Sequence, residues 1–414
     1  MKIAVIGGGI SGMAAAYLLA DDHELTLYEA NDYIGGHTHT VNVSLDGEIW
    51  AVDTGFIVFN EVTYPNFCTL MDRLGVVSQP TRMNFSVRDE KADLEYNSRS
   101  LVTIFAQKKN LLSPSYYRML LEIFRLRRDI RRFLQGPDEK MELIPFLIGK
   151  GYSRRFIEHF VVPLVAALWS SDPGQVGRFP FATFARFFQN SGFLAMKNPL
   201  EWRVIQGGSE RYVEKLTASY RDRIRLNAPV QGVRREENRV VVTPVDGSPE
   251  SYDHVVIAAH SDQALAMLED PSEAERDVLG AIPYQENDTL LHTDTRVLPR
   301  RQSLWASWNY LIPREESGFS TITYDMNVLQ SLSARQEFCV SLNLTPRIDP
   351  EKVIERFTYH HPVFLRHSVP AQQDHARISG VNRTHYCGAY WGYGFHEDGV
   401  NSALAACRYF GKKL

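Results

Sequence analysis

The feature that most constrains the fold is a glycine pattern directly after the first apolar run of the chain. Residues 2–6 suit a buried parallel strand, and they lead into a GxGxxG motif at Gly7, Gly9 and Gly12. In such a motif the first glycine permits a tight turn, the second lets the backbone approach a pyrophosphate, and the third lets the helix pack on the strand. The unpaired N–H groups at the start of that helix stabilise an anion, and the Ser11 hydroxyl adds a donor. The pattern predicts the pyrophosphate site of a dinucleotide.

A second strand and an acidic residue support this interpretation. Residues 25–28 form another short apolar run, and Glu29 ends it. A carboxylate at this position accepts hydrogen bonds from both ribose hydroxyls of the dinucleotide. Because its negative charge repels a 2′-phosphate, the pattern favours NAD or FAD over NADP.

A glycine doublet then narrows the choice of cofactor. Gly35 and Gly36 precede His37 and Thr38, and here the chain resembles the superfamily of flavin-containing amine oxidases and phytoene desaturases. Members of that superfamily carry a Gly-Gly-Arg element at a similar distance after the acidic residue, whereas this chain has His37 as the third residue. The resemblance implies FAD, contacted by these four residues. It is expected to be bound non-covalently, since the sequence has no obvious Cys or His attachment motif.

The resemblance also implies cofactor contacts further along the chain. An alternating segment around Asp46-Gly47 predicts a hairpin that returns to Gly55 and Phe56. In the superfamily a DxG element after such a hairpin brings the backbone against the flavin ring, so these two residues are candidate contacts; a plain strand end is the alternative. Val230 corresponds to a residue that meets adenine in the superfamily, with ordinary sheet packing as the alternative.

The C-terminal segment resembles the element that closes the flavin site in these enzymes. A strand through Tyr386 gives way to a loop rich in glycine and aromatic residues, and then to a helix expected from about Gly399. Helix amides at that place stabilise negative charge on the reduced flavin. The resemblance therefore implies cofactor contacts by Gly388, Gly399 and Val400. The candidates for the catalytic site beside the ring are Tyr393, Phe395 and His396, and the alternative for His396 is a structural histidine.

Composition excludes several other classes of protein. The 414 residues carry a net charge of −4 and have a pI near 6.4, which argues against a nucleic-acid partner. The four cysteines are far apart and show no CxxC, so the sequence predicts free thiols and no metal site. No apolar run approaches the ~20 residues of a membrane span, and the chain starts with a strand rather than a signal peptide. These features predict a cytoplasmic protein.

One basic segment departs from the acidic balance of the chain. The segment from Lys108 to Arg132 contains eight Lys or Arg residues and only two acids, Glu122 and Asp129. The helical pattern of residues 117–134 predicts an apolar stripe containing Leu120, Ile123, Phe124, Ile130 and Phe133, with arginines on the other side. Such a helix predicts a peripheral membrane contact through residues 108–134. A solvated helix face is the alternative.

The order of these motifs predicts two interleaved domains. The fold class is α/β, with a Rossmann-type FAD-binding domain from residues 1–60, 200–260 and 380–414. Residues 61–199 and 261–379 are predicted to form an α+β substrate-binding domain. The first of these insertions is dense in phenylalanine near residues 179–193, and the second carries an aromatic-rich antiparallel sheet. Both compositions suit an apolar pocket as well as a core.

The predicted activity is that of an FAD-dependent oxidoreductase that abstracts a hydride from a C–H bond of an apolar, acyl-type substrate. This follows from the resemblance, which looks closest to bacterial predicted NAD/FAD-binding oxidoreductases grouped with enzymes of acyl-chain modification. The first alternative is a flavin amine oxidase, but the lysine that assists oxygen in those enzymes has no counterpart between Lys215 and Lys352. The second alternative is a lipid-binding protein without catalytic flavin, as in the Rab GDP-dissociation inhibitors.

Overall fold

The protein combines two large sheets and a helical layer. The computed structural model describes residues 1–191, 200–315 and 318–414. The strands are β1 (Lys2–Ile6), β2 (Glu24–Tyr28), β3 (Thr40–Leu45), β4 (Glu48–Asp53), β5 (Ser78–Thr81), β6 (Phe85–Asp89), β7 (Leu94–Asn97), β8 (Trp202–Ile205), β9 (Ile224–Arg225), β10 (Val230–Arg235), β11 (Val240–Pro244), β12 (Glu250–Tyr252), β13 (His254–Ile257), β14 (Tyr284–His292), β15 (Trp308–Ile312), β16 (Ile322–Asp325), β17 (Cys339–Leu342), β18 (Val353–Pro362) and β19 (Thr384–Tyr386). The helices are α1 (Ile10–Leu19), α2 (Pro65–Leu74), α3 (Leu101–Ile104), α4 (Pro114–Phe133), α5 (Leu143–Gly149), α6 (Arg154–Phe156), α7 (Val162–Trp169), α8 (Phe181–Asn190), α9 (Glu210–Thr217), α10 (Ser261–Met267), α11 (Glu273–Leu279), α12 (Met326–Gln330), α13 (Ser368–Gln373), α14 (His375–Ile378) and α15 (His396–Cys407).

The first sheet is parallel and has the order β19-β13-β1-β2-β9. Its central strands are continuous runs of Val, Ile, Leu and Ala because helices or other strands cover both faces. Strand β1 leads directly into α1, which is buried along most of its length. All five strands come from residues 1–60, 200–260 and 380–414. This sheet is the Rossmann-type layer that the sequence predicts, so the predicted fold class is confirmed.

The second sheet has seven strands in the order β18-β14-β17-β16-β15-β6-β7. Its strands come from both insertions: β6 and β7 from the first, the others from the second. The predicted sheet is antiparallel, and the structure differs at one join, where β15 pairs with β6 in parallel. Strand β18 has no counterpart among the predicted strands, since much of it is exposed and its sequence lacks an apolar alternation.

A helical layer packs on the second sheet. Helices α4 to α8 and the sheet share one apolar core rich in phenylalanine, and α7 continues from a π-helical turn at Ile157–Val161. The predicted phenylalanine-dense segment reaches Phe193, which lies outside the described residues. The end of the predicted first insertion, at residue 199, also falls there, and the domain boundaries stay a prediction.

Among the helices that the structure describes, none combines the length and the apolar character needed to cross a bilayer.

Candidate functional site

The glycine motif forms a tight turn between β1 and α1. Gly7 has φ of +103°, and a Cβ there would lie 2.8 Å from the Ala258 carbonyl oxygen. A Cβ at Gly12 would overlap the Gly7 carbonyl oxygen, so only glycine lets the helix sit this close to the turn. A Cβ at Gly9 would meet no atom within 4 Å. Gly9 therefore borders open space at the N-terminus of α1, which fits the entry of a pyrophosphate.

Glu29 stands at the end of β2 beside this turn. It is buried, and its two carboxylate oxygens accept hydrogen bonds from the backbone N–H groups of Gly8 (2.7 Å) and Asn31 (2.9 Å). Each carboxylate oxygen has a second lone pair, so both can still accept a ribose hydroxyl. The Ala228 N–H donates to the Glu29 carbonyl at 2.8 Å, which places Val230, at the start of β10, close to this acid.

The glycine doublet and the DxG element meet the first turn. The Gly35 N–H donates to the Gly8 carbonyl at 2.9 Å, and a Cβ on Gly36 would lie 3.0 Å from the Gly9 Cα. The Phe56 N–H donates to the His37 carbonyl at 2.7 Å, an oxygen that a Cβ at Gly55 would overlap. Three turns that are separate in the sequence therefore converge at the start of α1.

The last helix begins earlier than the sequence predicts. Helix α15 starts at His396 rather than near Gly399, because the Asp398 carboxylate accepts the backbone N–H groups of Phe395 (2.9 Å) and Tyr393 (3.0 Å) and so caps the first turn. The signal for this start was an acid three residues after Phe395.

This earlier start changes the roles open to Gly399 and Val400. The Gly399 N–H donates to the Phe395 carbonyl inside the helix at 3.1 Å, so it is not a free donor. A Cβ at Gly399 would lie 2.7 Å from Ile10 and 3.0 Å from Ser11, and the Val400 side chain is buried. These contacts pack the first turn of α15 against the start of α1. Two positive helix ends are thereby brought together.

Gly388 lies at the turn between β19 and the aromatic loop. Its N–H donates to Ser402 Oγ at 2.8 Å, and the ring of Tyr390 occupies the space of a Cβ. This contact with Ser402 ties the turn to α15.

His396 lies in the interior at the base of these turns. Its Nε2 is hydrogen-bonded to Thr38 Oγ1 (2.9 Å) and to the Tyr212 hydroxyl (3.1 Å), and its ring stacks on Phe56 at 3.5 Å. Burial lowers the pKa of His396 well below its usual range, so the ring is neutral. The contacts are those of a histidine that holds Thr38 and Phe56 in place. Tyr212, which also bonds Thr38, was missed by the sequence interpretation.

A cluster of histidines lies next to the glycine doublet. The ring of His37 is 5.3 Å from that of His361 and 6.1 Å from that of His260, and His260 is 6.3 Å from His360. Burial and the neighbouring histidines lower the pKa of His37 and of His260 to about 4. The His37 Nε2 atom is buried and has no hydrogen-bond partner among the described residues. Such an orphaned nitrogen fits a ligand group beside the turn.

Aromatic side chains from distant segments form a wall beside α15. Phe187 of α8 stacks on Phe395 at 5.3 Å and lies 5.6 Å from Tyr393. The Trp169 Nε1–H donates to the Tyr393 carbonyl at 3.0 Å, and its ring is 4.9 Å from Phe187. We refer to Trp169, Phe187, Tyr393 and Phe395 as the aromatic wall. It joins the loop that precedes α15 to the phenylalanine-rich helices.

Asp53 clamps the hairpin to the rest of the site. Its buried carboxylate accepts hydrogen bonds from Thr40 Oγ1 (2.6 Å), from the N–H and hydroxyl of Ser209 (2.8 and 2.7 Å) and from Gln330 Nε2 (3.1 Å). Burial raises the pKa of Asp53 to about 6, opposed by these donors. Through these hydrogen bonds Asp53 fixes the turn that carries Gly55. This accounts for the acid at the first position of the DxG element.

Comparisons with known proteins agree with this geometry. The profile of the family described as flavin containing amine oxidoreductase matches residues 10–310. The flavin-dependent L-tryptophan oxidase RebO of Lentzea aerocolonigenes is 23% identical over 300 residues, which is 64% of this chain and 58% of that protein. The chain spans less than two thirds of the length of the curated relatives it matches first.

Two solved structures show the same fold over nearly the whole chain. Cyclohexylamine oxidase from Brevibacterium oxydans has a TM-score of 0.69 at 16% identity, covering 99% of both chains. The CLA-producing fatty acid isomerase from P. acnes also has a TM-score of 0.69 at 16% identity, covering 99% of this chain and 98% of that one.

Proposed function

The chain belongs to the family of flavin-containing amine oxidoreductases, and from this premise we propose that it is an FAD-dependent oxidoreductase acting on an apolar, acyl-type substrate. The cofactor is held without a covalent bond. The proposal covers the substrate, the reaction and the residues that carry it.

The proposed cofactor contacts follow the geometry of the converging turns. Gly9 and the first turn of α1 would hold the pyrophosphate, the first turn of α15 would face the flavin ring, and Glu29 would accept hydrogen bonds from the ribose hydroxyls. His37 takes the place of the arginine of the Gly-Gly-Arg element, where its free Nε2 offers a hydrogen bond. Gly55 and Phe56 support the ring end, and His396 positions Phe56 by stacking on it.

The observation that carries the substrate class is the aromatic wall. Its four side chains meet beside the helix that closes the cofactor site, and they come from both halves of the molecule. Apolar walls that exclude water suit a reaction in which an unactivated C–H bond is held in place. Tyr393 and Phe395 are the wall residues placed to touch substrate, since both remain partly exposed.

FAD, when bound, supplies the acceptor for the two electrons and the hydrogen of one substrate C–H bond. The neighbouring C–H bond then loses its hydrogen as a proton, and a C=C bond forms between the two carbons. The wall orients the chain and keeps water away from the reacting carbons. In this scheme the substrate loses two electrons and two hydrogens, one as a hydride and one as a proton that passes to solvent.

The acids near the wall are poor partners for an amine substrate. Asp398, in the first turn of α15, is the carboxylate next to the aromatic loop, but it already accepts hydrogen bonds from two backbone N–H groups, and burial raises its pKa to about 7. A carboxyl that is partly protonated at neutral pH gives little counter-charge to an ammonium group. Lys352, which ends the lysine-free stretch, is about half exposed and lies 4.0 Å from Asp294, so it is engaged in another part of the second sheet.

Two observations favour the amine oxidase alternative. Aromatic faces attract cations, and relatives of this chain are named as amine or amino-acid oxidases. The test is anaerobic bleaching of the bound flavin by a panel of primary and secondary amines and of acyl lipids. Bleaching by an acyl lipid with a new C=C bond in the product supports the proposal. Fast turnover of a simple amine with stoichiometric peroxide contradicts it, and a colourless protein that cannot be loaded with FAD would favour a lipid-binding role.

A further inference from the structure

Exposed apolar side chains concentrate on one surface of the helical layer. Of the eighteen large hydrophobic side chains that are exposed in the described chain, eight come from residues 101–148. We call these eight residues the apolar patch: Leu101, Val102, Leu111, Leu112, Tyr117, Leu121, Phe124 and Ile148. Leu112 is 89% exposed and Leu121 is 68% exposed, so these side chains project from the surface. A contiguous set of such residues on a protein surface marks an interaction site.

Three neighbouring segments hold the patch together. Leu111, Leu112, Tyr117 and Leu121 line one shallow groove of about 490 Å³ at the start of α4. The ring of Tyr117 lies 5.4 Å from that of Phe105, which directly follows α3 and so brings Leu101 and Val102 alongside. The Arg118 guanidinium donates to the Gly151 carbonyl at 3.1 Å, which brings the end of α5 with Ile148 against the same helix.

The acids of helix α4 face inward, and the residues of the predicted apolar stripe do not all lie on one side. Phe124 is 52% exposed, whereas Ile130 of the same stripe is buried, as are Glu122 and Asp129. Glu122 accepts the Ser153 N–H at 3.0 Å, and Asp129 accepts the Tyr152 hydroxyl at 2.9 Å. Hydrogen bonds to the next loop therefore select this face, since they satisfy both acids inside the protein.

The outward face of α4 consequently carries only positive charge. Tyr117, Leu121 and Phe124 form a stripe at helical spacing, and Arg128 and Arg131 continue it. Arg118, Arg125 and Arg128 pair with the inward acids, although the Arg128 side chain stays 60% exposed. Lys108, Arg131 and Arg132 are exposed and have no ion-pair partner among the residues described. An apolar stripe with a positive continuation is complementary to an anionic, apolar interface.

We propose that the apolar patch is a docking surface for an anionic lipid bilayer. The leucine, valine and phenylalanine side chains enter the boundary between headgroups and acyl chains, and the arginines bind the anionic headgroups. Strongly projecting side chains suit a fluid bilayer, because a rigid partner would need a matching pocket for each of them. The charge of one sign favours lipid over a second copy of this chain, whose identical surface would repel it.

The experiment uses the flavin-loaded full chain and co-sedimentation with two kinds of vesicle. One kind is phosphatidylcholine alone, and the other is an equal mixture of phosphatidylcholine and phosphatidylglycerol. The wild-type protein is expected to bind the mixed vesicles at low salt and to be released as the salt concentration rises. Equal binding to both kinds of vesicle, or none to either, overturns the proposal.

Two sets of variants separate the apolar and ionic contributions. Leu112→Ser with Leu121→Ser is expected to weaken binding roughly tenfold or more, and Arg128→Gln with Arg131→Gln about fivefold for each arginine. Because these side chains are exposed, flavin content and Tm should stay unchanged. The matched control is Ile49→Ser with Val62→Ser, two exposed apolar residues on other surfaces, which should bind like wild type. If the leucine variant binds like wild type, or instead converts a dimer to a monomer in sedimentation velocity, the patch is not a membrane surface.

Discussion

The glycine turns at the start of the chain and the aromatic wall are both needed for the proposed reaction, but they are built in different ways. The turns use backbone geometry: Gly7, Gly12 and Gly36 allow contacts that a Cβ would block. The wall uses side-chain area, contributed by Trp169, Phe187 and the loop at residues 393–395. The glycine turns depend on a few residues of one type at fixed spacing. The aromatic wall depends on which distant side chains the fold brings together.

This difference predicts how each region responds to mutation. A substitution at Gly7, Gly12 or Gly36 meets backbone atoms that cannot move aside, so a large effect is expected from a change at that single position. A substitution in the wall leaves a cavity, and its effect is graded and shared among neighbours.

The largest expected effect is that of Gly12→Ala. Its Cβ would overlap the Gly7 carbonyl oxygen, so the helix must move off the strand and the chain is expected to lose its stable fold. The matched change is Gly9→Ala, whose Cβ meets no atom within 4 Å; it should leave the Tm of the cofactor-free protein unchanged and abolish FAD retention. Thermal unfolding and flavin content measure the two effects. Equal Tm losses for both variants would remove the distinction between a packing glycine and a cofactor-facing one.

The next effect is that of Phe187→Ala in the wall. Removal of a buried phenylalanine ring is expected to lower the free energy of unfolding by about 3 kcal/mol. Reduction of the flavin by an acyl substrate should slow while flavin content stays the same. Phe338→Ala is the control, since Phe338 is buried in a different apolar cluster from Phe187: the substitution should cost similar stability and leave flavin reduction intact. If the acyl substrate reduces the flavin of both variants at the same rate, the wall does not contact substrate.

Loss of the acid at the end of β2 should have a smaller effect. Glu29→Ala removes an acceptor for the ribose hydroxyls, and hydrogen bonds to a charged group contribute about 1.5–3 kcal/mol, or about 10–100-fold in FAD affinity. Titration of the cofactor-free protein with FAD measures the change. Glu24→Ala at the exposed start of the same strand should bind FAD normally. A Glu29→Ala protein that purifies fully yellow at low added FAD would argue against the ribose contact.

The smallest effect concerns pH and the histidine cluster. The pKa values of His37 and His260 are about 4 in the folded protein, and that of His361 is about 3, below the ordinary value near 6.5. Between these limits the unfolded chain binds more protons, so the free energy of unfolding should fall as pH drops from about 6.5 towards 4. Allowing for screening, we expect about 1 kcal/mol per pH unit from the cluster.

Urea unfolding of the cofactor-free protein at a series of pH values measures this slope. His37→Phe removes one titrating group and should flatten the curve, whereas His367→Phe, at an exposed position, should leave it unchanged. An unchanged slope in the His37 variant would show that the cluster is already protonated or that another group governs acid lability.

Local motifs allowed much of the cofactor half to be predicted, and distant contacts explain what could not be. The turn at Gly7 to Gly12, the strand ending at Glu29 and the hairpin around Asp46 are each contained within a few residues, so their signals survive in the sequence. The start of α15 was predicted too late, near Gly399, and the inward face of α4 was not predicted. Each depends on one acid, Asp398 or Glu122, whose partner is fixed by the folded loop beside it.

Glycine spacing and apolar runs were enough to predict the Rossmann-type layer, because they restrict the backbone wherever they occur. The burial of His396 against Phe56, the three histidines beside His37 and the outward position of Leu121 on α4 could be seen only in the folded structure. These outcomes depend on contacts between segments up to several hundred residues apart. The environment of a histidine or a leucine depends on tertiary contacts, whereas the conformation of a glycine turn depends on the local sequence.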